Sequence, residues 1–211
     1  MPSSGRHAAL AEALSLIFPT WCAGCDLPGV PLCEDCAAAL APDPRVRLLP
    51  DGLPVHSALV FNGIPARVIR ALKEDGRTPL ARPLGAALGA AARAAGLGGD
   101  LHVVPVATSR AAMRRRGYRV AELVARRAGL APERLLRVAA PAADQRGLGR
   151  AERAANVAGT MRARGAAGLR VLLVDDVVTT GATLAEAART LRESGAHVIA
   201  AATIAATPRR G

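Results

Sequence analysis

The stretch Val171-Leu172-Leu173-Val174-Asp175-Asp176-Val177-Val178-Thr179-Thr180-Gly181-Ala182-Thr183-Leu184 constrains this chain more than any other. Its opening apolar run reads as a strand buried on both faces, which calls for helices on either side of a sheet. Two carboxylates stand at the carboxyl end of that strand. Small hydroxyl residues around one glycine follow. A helical pattern comes next, in which Leu184, Ala187, Ala188 and Leu191 share one face and Gly195 marks the stop. In open α/β sheets, ligands sit at the carboxyl ends of strands. A turn such as Thr179 to Thr183 can aim backbone N–H groups and hydroxyls at a phosphate, and the helix N-terminus behind it favours negative charge. Asp175 and Asp176 cannot hold phosphate, but they can accept hydrogen bonds from a diol. One segment thus offers a sugar grip beside a phosphate grip.

A Walker B strand would look similar, but it needs a partner G-x-x-x-x-G-K-[ST] loop, and the chain has none. An ordinary βα turn with Thr183 as N-cap is the plainer alternative. Hydrophobic positions, Asp-Asp and then Thr-Thr-Gly-Ala-Thr resemble the phosphoribosyl-pyrophosphate (PRPP) motif of type I phosphoribosyltransferases. By that resemblance Asp175 and Asp176 hold the ribose 2′- and 3′-hydroxyls. Thr179, Thr180, Gly181, Ala182 and Thr183 wrap the 5′-phosphate, and Val177 belongs to the same ligand-binding set.

The chain is 51% hydrophobic, which suits a folded protein with a real core. No apolar run approaches a membrane span, and the first residues lack the pattern of a signal peptide, so a cytoplasmic protein is expected. The formal net charge of +11 suits polyanions, whereas 2% aromatics argue against a stacking platform for single strands. Lys73 is the only lysine among 28 basic residues. A compact ammonium suits a phosphate or carboxylate partner in a tight site.

A helix is expected over Arg6 to Phe18, ended by Pro19. Cys22-Ala23-Gly24-Cys25 and Cys33-Glu34-Asp35-Cys36 then contain all four cysteines. Two C-x-x-C knuckles across a short loop suit one structural Zn²⁺ ion, with Cys22, Cys25, Cys33 and Cys36 as a closed Cys₄ site. Redox or disulfide chemistry is the weaker alternative. Ala41 to Pro54 is proline-rich and reads as a linker or an edge strand. We expect residues 1–54 to form an N-terminal helix, zinc element and linker, and residues 55–211 to form the main domain.

Val55 to Phe61 reads as a strand, Pro65 to Ala71 as a helix, and Lys73 to Arg77 as a charged turn. Pro83 to Ala95 is an alanine-rich helix. Leu101 to Val106 is the next buried strand, and Arg110, Arg114, Arg115, Arg116 and Arg119 follow its end. Guanidinium forks match phosphate oxygens, so Arg110 and Arg114 are candidates for pyrophosphate; a solvated helix face is the alternative. A helix over Arg119 to Arg127 and short strands at Leu135–Val138 and Gly159–Ala163 come next. Between those strands the long polar segment with Gln145, Arg146 and Arg153 suits a mobile lid over a phosphate site. The final strand is His197 to Ala205. The alternation predicts an α/β fold with a parallel doubly wound sheet.

Taken together, the chain resembles the ComF family of competence proteins. The resemblance rests on the double knuckle, Ala71-Leu72-Lys73, Val104-Pro105-Val106, Arg114-Arg115-Arg116-Gly117-Tyr118, Gln145, Arg153-Ala154-Ala155-Asn156 and the 171–184 motif. It implies a type I phosphoribosyltransferase-like domain with a small N-terminal Cys₄ zinc element. It also implies binding of PRPP with Mg²⁺, release of pyrophosphate, and a link to DNA uptake in natural transformation. Asp175, Asp176, Lys73 and Arg153 would carry the chemistry. The alternative it leaves open is a non-catalytic factor that binds PRPP or nucleotide, together with DNA and a helicase of the uptake machinery. Arg119-Val120 replace the family's usual Asn-Gln, Ala107-Thr108-Ser109 stand where the family tends to carry two small residues and a proline, and Tyr118 mildly replaces phenylalanine.

Overall fold

The computed structural model describes residues 20–96, 98–139 and 159–208. The helix expected over Arg6 to Phe18 and the lid residues Gln145, Arg146 and Arg153 lie outside them.

Five strands form the main sheet: β1 (Arg45–Leu48), β2 (Pro54–Val60), β3 (Leu101–Pro105), β6 (Arg170–Val178) and β7 (His197–Ala206). Their spatial order is β1-β2-β7-β6-β3. β2, β7, β6 and β3 run parallel, and β1 closes one edge antiparallel to β2. Between the linker and edge-strand readings of the proline-rich segment, the sheet takes the edge strand. A strand with one free edge tolerates neighbouring prolines, since it lacks a ladder on one side.

β6 lies inside the sheet, between β7 and β3, and obeys the two-face expectation. Leu172 and Val174 enter a core with Val68, Ile69 and Leu72 of α2 (Gly63–Lys73), Leu84 and Leu88 of α3 (Ala81–Ala94), and Val124 of α5 (Val120–Arg127). Val171 and Leu173 enter the opposite core with Leu184, Ala187, Ala188 and Leu191 of α6 (Ala182–Glu193). Side chains alternate along a strand, so one run of four apolar residues serves both layers. Small residues on β7 (Ala200, Ala201 and Ala202) let these layers approach, and buried Ser57 and Thr203 share a 2.7 Å hydrogen bond between β2 and β7. Gly195 takes a positive φ after α6, as the stop signal implies.

Two expectations need adjustment. The short strands β4 (Leu136–Val138) and β5 (Met161–Ala163) do not join the parallel sheet. They pair antiparallel as a separate two-stranded ribbon. Lys73 is the last residue of α2 and not part of the charged turn, because the Glu74 N–H still donates to the Arg70 carbonyl.

The knuckle segment contains α1 (Glu34–Ala38) and packs onto α2 and the turn after it. Ala23 and Leu40 join the first core. Asp26 pairs with Arg67 of α2, and Arg77 donates to the carbonyls of Trp21 and Pro31. No described helix is long and apolar enough to cross a membrane.

Candidate functional site

β6 delivers Asp175 and Asp176 to its carboxyl end, beside the loop that follows β3. A cleft of about 430 Å³ opens there. Its walls bring Asp175, Asp176, Val177, Thr179 and Thr183 together with Lys73 of α2 and with Ala107, Thr108 and Ser109. Thr180 and Ala182 are exposed on the same turn, and Gly181 is its buried pivot. The sequence-expected ribose and phosphate residues therefore share one place.

The turn is shaped by its own side chains. Asp175 Oδ1 accepts the Asp176 N–H, and Asp176 Oδ1 accepts the Val177 N–H, each at 2.8 Å. Thr180 Oγ1 accepts the Ala182 N–H at 3.3 Å. Gly181, at φ +87°, is the N-cap of α6, so Thr183 lies inside the helix and not at its cap. The N-terminus of α6 lies beside the cleft, which Thr183 lines.

Lys73 Nζ lies 2.7 Å from Asp176 Oδ2, and the Asp176 side chain is only 11% exposed. The single lysine of the chain thus neutralises one of the two carboxylates. Withdrawal from water, and next the Asp176 charge, push the Asp175 carboxyl well above the ordinary aspartate range; the Asp176 N–H and Lys73 act against that rise. Two adjacent carboxylates with one ammonium leave lone pairs for hydroxyl donors and a cation for an anionic ligand. Arg70, also in the cleft, is held over the Phe61 ring at 5.3 Å.

The arginines distribute differently from expectation. On α4 (Arg110–Arg116), Arg116 lines the cleft, and its Nε is buried without a hydrogen-bond partner among the described residues. Such a donor costs about 1–3 kcal/mol until something accepts from it. Arg110 lines a neighbouring cleft instead, and Arg114 lines neither. Helical phase carried the signal that was missed: Ala112 and Arg116 are four residues apart and share the cleft face, while Arg114 lies about half a turn away. The Tyr118 hydroxyl donates to the Leu72 carbonyl, next to Lys73, a bond that phenylalanine could not make. Val120 is buried at the cleft wall.

The edge strand supports the 179–183 turn from outside. Arg47 Nη2 donates to the Thr179 carbonyl at 2.7 Å. The Leu49 side chain packs so closely on Gly181 that an added Cβ would meet Leu49 Cδ2 at 2.4 Å. Asp51 pairs with Arg192 of α6 at 2.8 Å. Nothing in local sequence pattern signals these contacts.

Part of the sequence matches a known family. Residues 111–211 match the family model of the phosphoribosyl transferase domain. The matched region contains Asp175, Asp176, the 179–183 turn and Arg116, while Lys73 and Arg47 precede it. The chain is 57% identical over 37 residues to the adenine phosphoribosyltransferases of Mycobacterium avium (strain 104) and Mycolicibacterium paratuberculosis (strain ATCC BAA-968 / K-10). That match covers 18% of this chain and spans about a fifth (21%) of each relative's length. Among solved structures, an allosteric regulatory enzyme of purine biosynthesis aligns over 60% of this chain and 26% of its own, at 22% identity and TM-score 0.38. The orotate phosphoribosyltransferase of Aeropyrum pernix aligns over 82% and 92%, at 19% identity and TM-score 0.33.

Ahead of the phosphoribosyl transferase match stands a second cluster. The Sγ atoms of Cys22, Cys25, Cys33 and Cys36 all lie within 4.8 Å of one another, and none is in a disulfide. Cys33 Sγ is 3.6 Å from both Cys22 Sγ and Cys25 Sγ. A tetrahedron with metal–sulfur arms of 2.3 Å has edges of about 3.8 Å, so the thiols can hold a metal ion such as zinc. The N–H groups of Gly24 and Cys33 donate to Cys22 Sγ at 3.4 Å. Burial raises the Cys22 thiol, but the N–H groups of Cys33, Gly24 and Cys25 outweigh it and hold the thiol at about 6. Gly24 is required for space, since a Cβ there would lie 2.4 Å from Cys36 Sγ.

Proposed function

We propose that this protein is a ComF-like phosphoribosyltransferase that binds PRPP with Mg²⁺ and passes the phosphoribosyl group to a nucleophile. The observation that carries this reading is a single cleft that unites two carboxylates suited to a diol, a helix-backed phosphate turn and the ammonium of Lys73. Asp175 and Asp176 would accept hydrogen bonds from the ribose 2′- and 3′-hydroxyls. Residues 179–183 would surround the 5′-phosphate with N–H groups and hydroxyls. The nucleophile would attack C1 as the C1–O bond to pyrophosphate breaks, with the electron pair leaving on the pyrophosphate oxygen. Lys73 and Arg116 face the space where that negative charge would grow, so catalysis would be positioning and charge stabilisation. Asp175 and Asp176 would help hold the Mg²⁺ of the PRPP complex, which would supply charge screening for the pyrophosphate.

The proposed organisation places the metal element and edge strand in residues 1–54 and the phosphoribosyltransferase-like unit in residues 55–211. Zn²⁺ would occupy the four thiols as a structural ion. We place the protein in the cytoplasm.

A second reading is favoured by the net charge of +11. The same cleft would bind PRPP or nucleotide without turnover, and the arginine-rich surface would serve DNA and a helicase during natural transformation.

Calorimetry with PRPP, with and without Mg²⁺, tests the pocket. We expect Mg²⁺-dependent, roughly micromolar binding that vanishes in Asp175→Ala. No heat, and no competition by ribose 5-phosphate, would remove both readings.

A further inference from the structure

The loop after β3 has two concave sides. One belongs to the ribose cleft. The other opens into a cleft of about 280 Å³, and Val106, Ala107 and Thr108 line both. Four arginines converge on the second cleft: Arg110 from α4, Arg119 from the start of α5, Arg134, and Arg137 from β4.

Its one described carboxylate is already committed. The Glu122 side chain is 7% exposed and accepts from Arg134 at 2.7 and 2.8 Å and from Arg126 at 3.1 Å. Arg134, and then Arg126, hold its carboxyl below the ordinary glutamate value against the cost of burial, so Glu122 stays ionised and occupied. No carboxylate among the described residues pairs with Arg110, Arg119 or Arg137. Three uncompensated cations facing one concavity repel each other unless an anion enters. Guanidinium forks are shaped for phosphate oxygens.

We propose that this cleft is a second anion-binding site, distinct from the ribose cleft, for a phosphate-bearing ligand. Neither Asp175 nor Asp176 lines it, so nothing there is arranged for sugar hydroxyls. Its volume lies at the small end of ligand pockets and suits a phosphate or pyrophosphate group more than a whole nucleotide. Arg119, which stands where the resembled family carries asparagine, supplies the charge nearest the helix start. The shared loop puts the two ligands on opposite sides of one short segment.

Inorganic pyrophosphate is the probe, titrated at low ionic strength while backbone amide shifts are followed. The expected result is movement of amides at 110, 119 and 134–138, which the ribose cleft does not share, and a loss of affinity of about 10-fold or more in Arg119→Gln/Arg137→Gln. Ribose 5-phosphate binding should stay within about 2-fold of wild type in that variant. Arg137→Gln alone, on the exposed rim, serves if the double variant does not fold. Unchanged pyrophosphate affinity, or shifts confined to residues 106–109 and 175–183 of the ribose cleft, overturns the site. A short oligonucleotide moving these amides when pyrophosphate does not overturns the small-ligand assignment. Failure of the ribose reading would show separately, as absent ribose 5-phosphate binding with the pyrophosphate shifts intact.

Discussion

Arg47 on the edge strand donates to the carbonyl of Thr179, across 132 positions of sequence and into the 179–183 turn. That bond fixes the turn's entry from outside the cleft. Replacing Arg47 by alanine should weaken ribose 5-phosphate binding by roughly 5-fold, since a charge-assisted bond at a half-exposed site is worth about 1 kcal/mol. Arg47→Lys should recover part of the loss. Calorimetry with the phosphorylated sugar and with free ribose separates the effects, because only the former uses the turn.

Gly181 is confined by conformation and by Leu49. Gly181→Ala should lower stability by about 1–2 kcal/mol from its left-handed backbone alone, with further cost from the 2.4 Å contact. Leu49→Ala opens space for the new methyl but leaves the backbone cost. In denaturant titrations the double variant should therefore be more stable than the sum of the singles by about 1 kcal/mol.

Under the proposed function, Asp175 sets ligand binding against stability. Its folded-state carboxyl is raised above the ordinary value of 3.8, so the native state holds that proton more tightly than the unfolded chain does. The stability linked to it is fully present below that ordinary value and is lost as pH rises through the folded value. Asp175→Asn removes the penalty. It should raise Tm at pH 7, and the gain should disappear below about pH 4. Ribose binding should be lost at every pH. A Tm gain that persists undiminished at pH 3 would contradict the burial argument.

The thiol cluster predicts one zinc per chain by metal analysis. Chelation should leave residues 20–36 open to protease while the sheet persists, because the small element buries little by itself. Metal affinity should fall steeply as the pH is lowered and thiolates protonate. Metal-free protein with an equally protected knuckle would refute the assignment.

Much of this was readable in advance where the signal is local. β6 declared itself by four apolar residues, α6 by its Leu184–Leu191 face, and the metal cluster by cysteine spacing. Lys73 was visible as the chain's only lysine, although the pairing with Asp176 was not. The contacts of Arg47 and Leu49 with the turn join segments 130 or so positions apart, and no periodicity encodes such a meeting. Charge alone does not separate Arg116 from the neighbouring arginines; helical phase, which puts it on the face of Ala112, does. β4 and β5 were read as strands, yet their separation from the main sheet depends on pairing that a three-residue strand cannot announce.

Lys73 and Arg47 both precede residue 111, where the phosphoribosyl transferase match begins. In genetic terms the cleft is a seam between two halves of one reading frame. A truncation or fusion that kept only the matched half would inherit the motif intact and forfeit two of the cations that surround it.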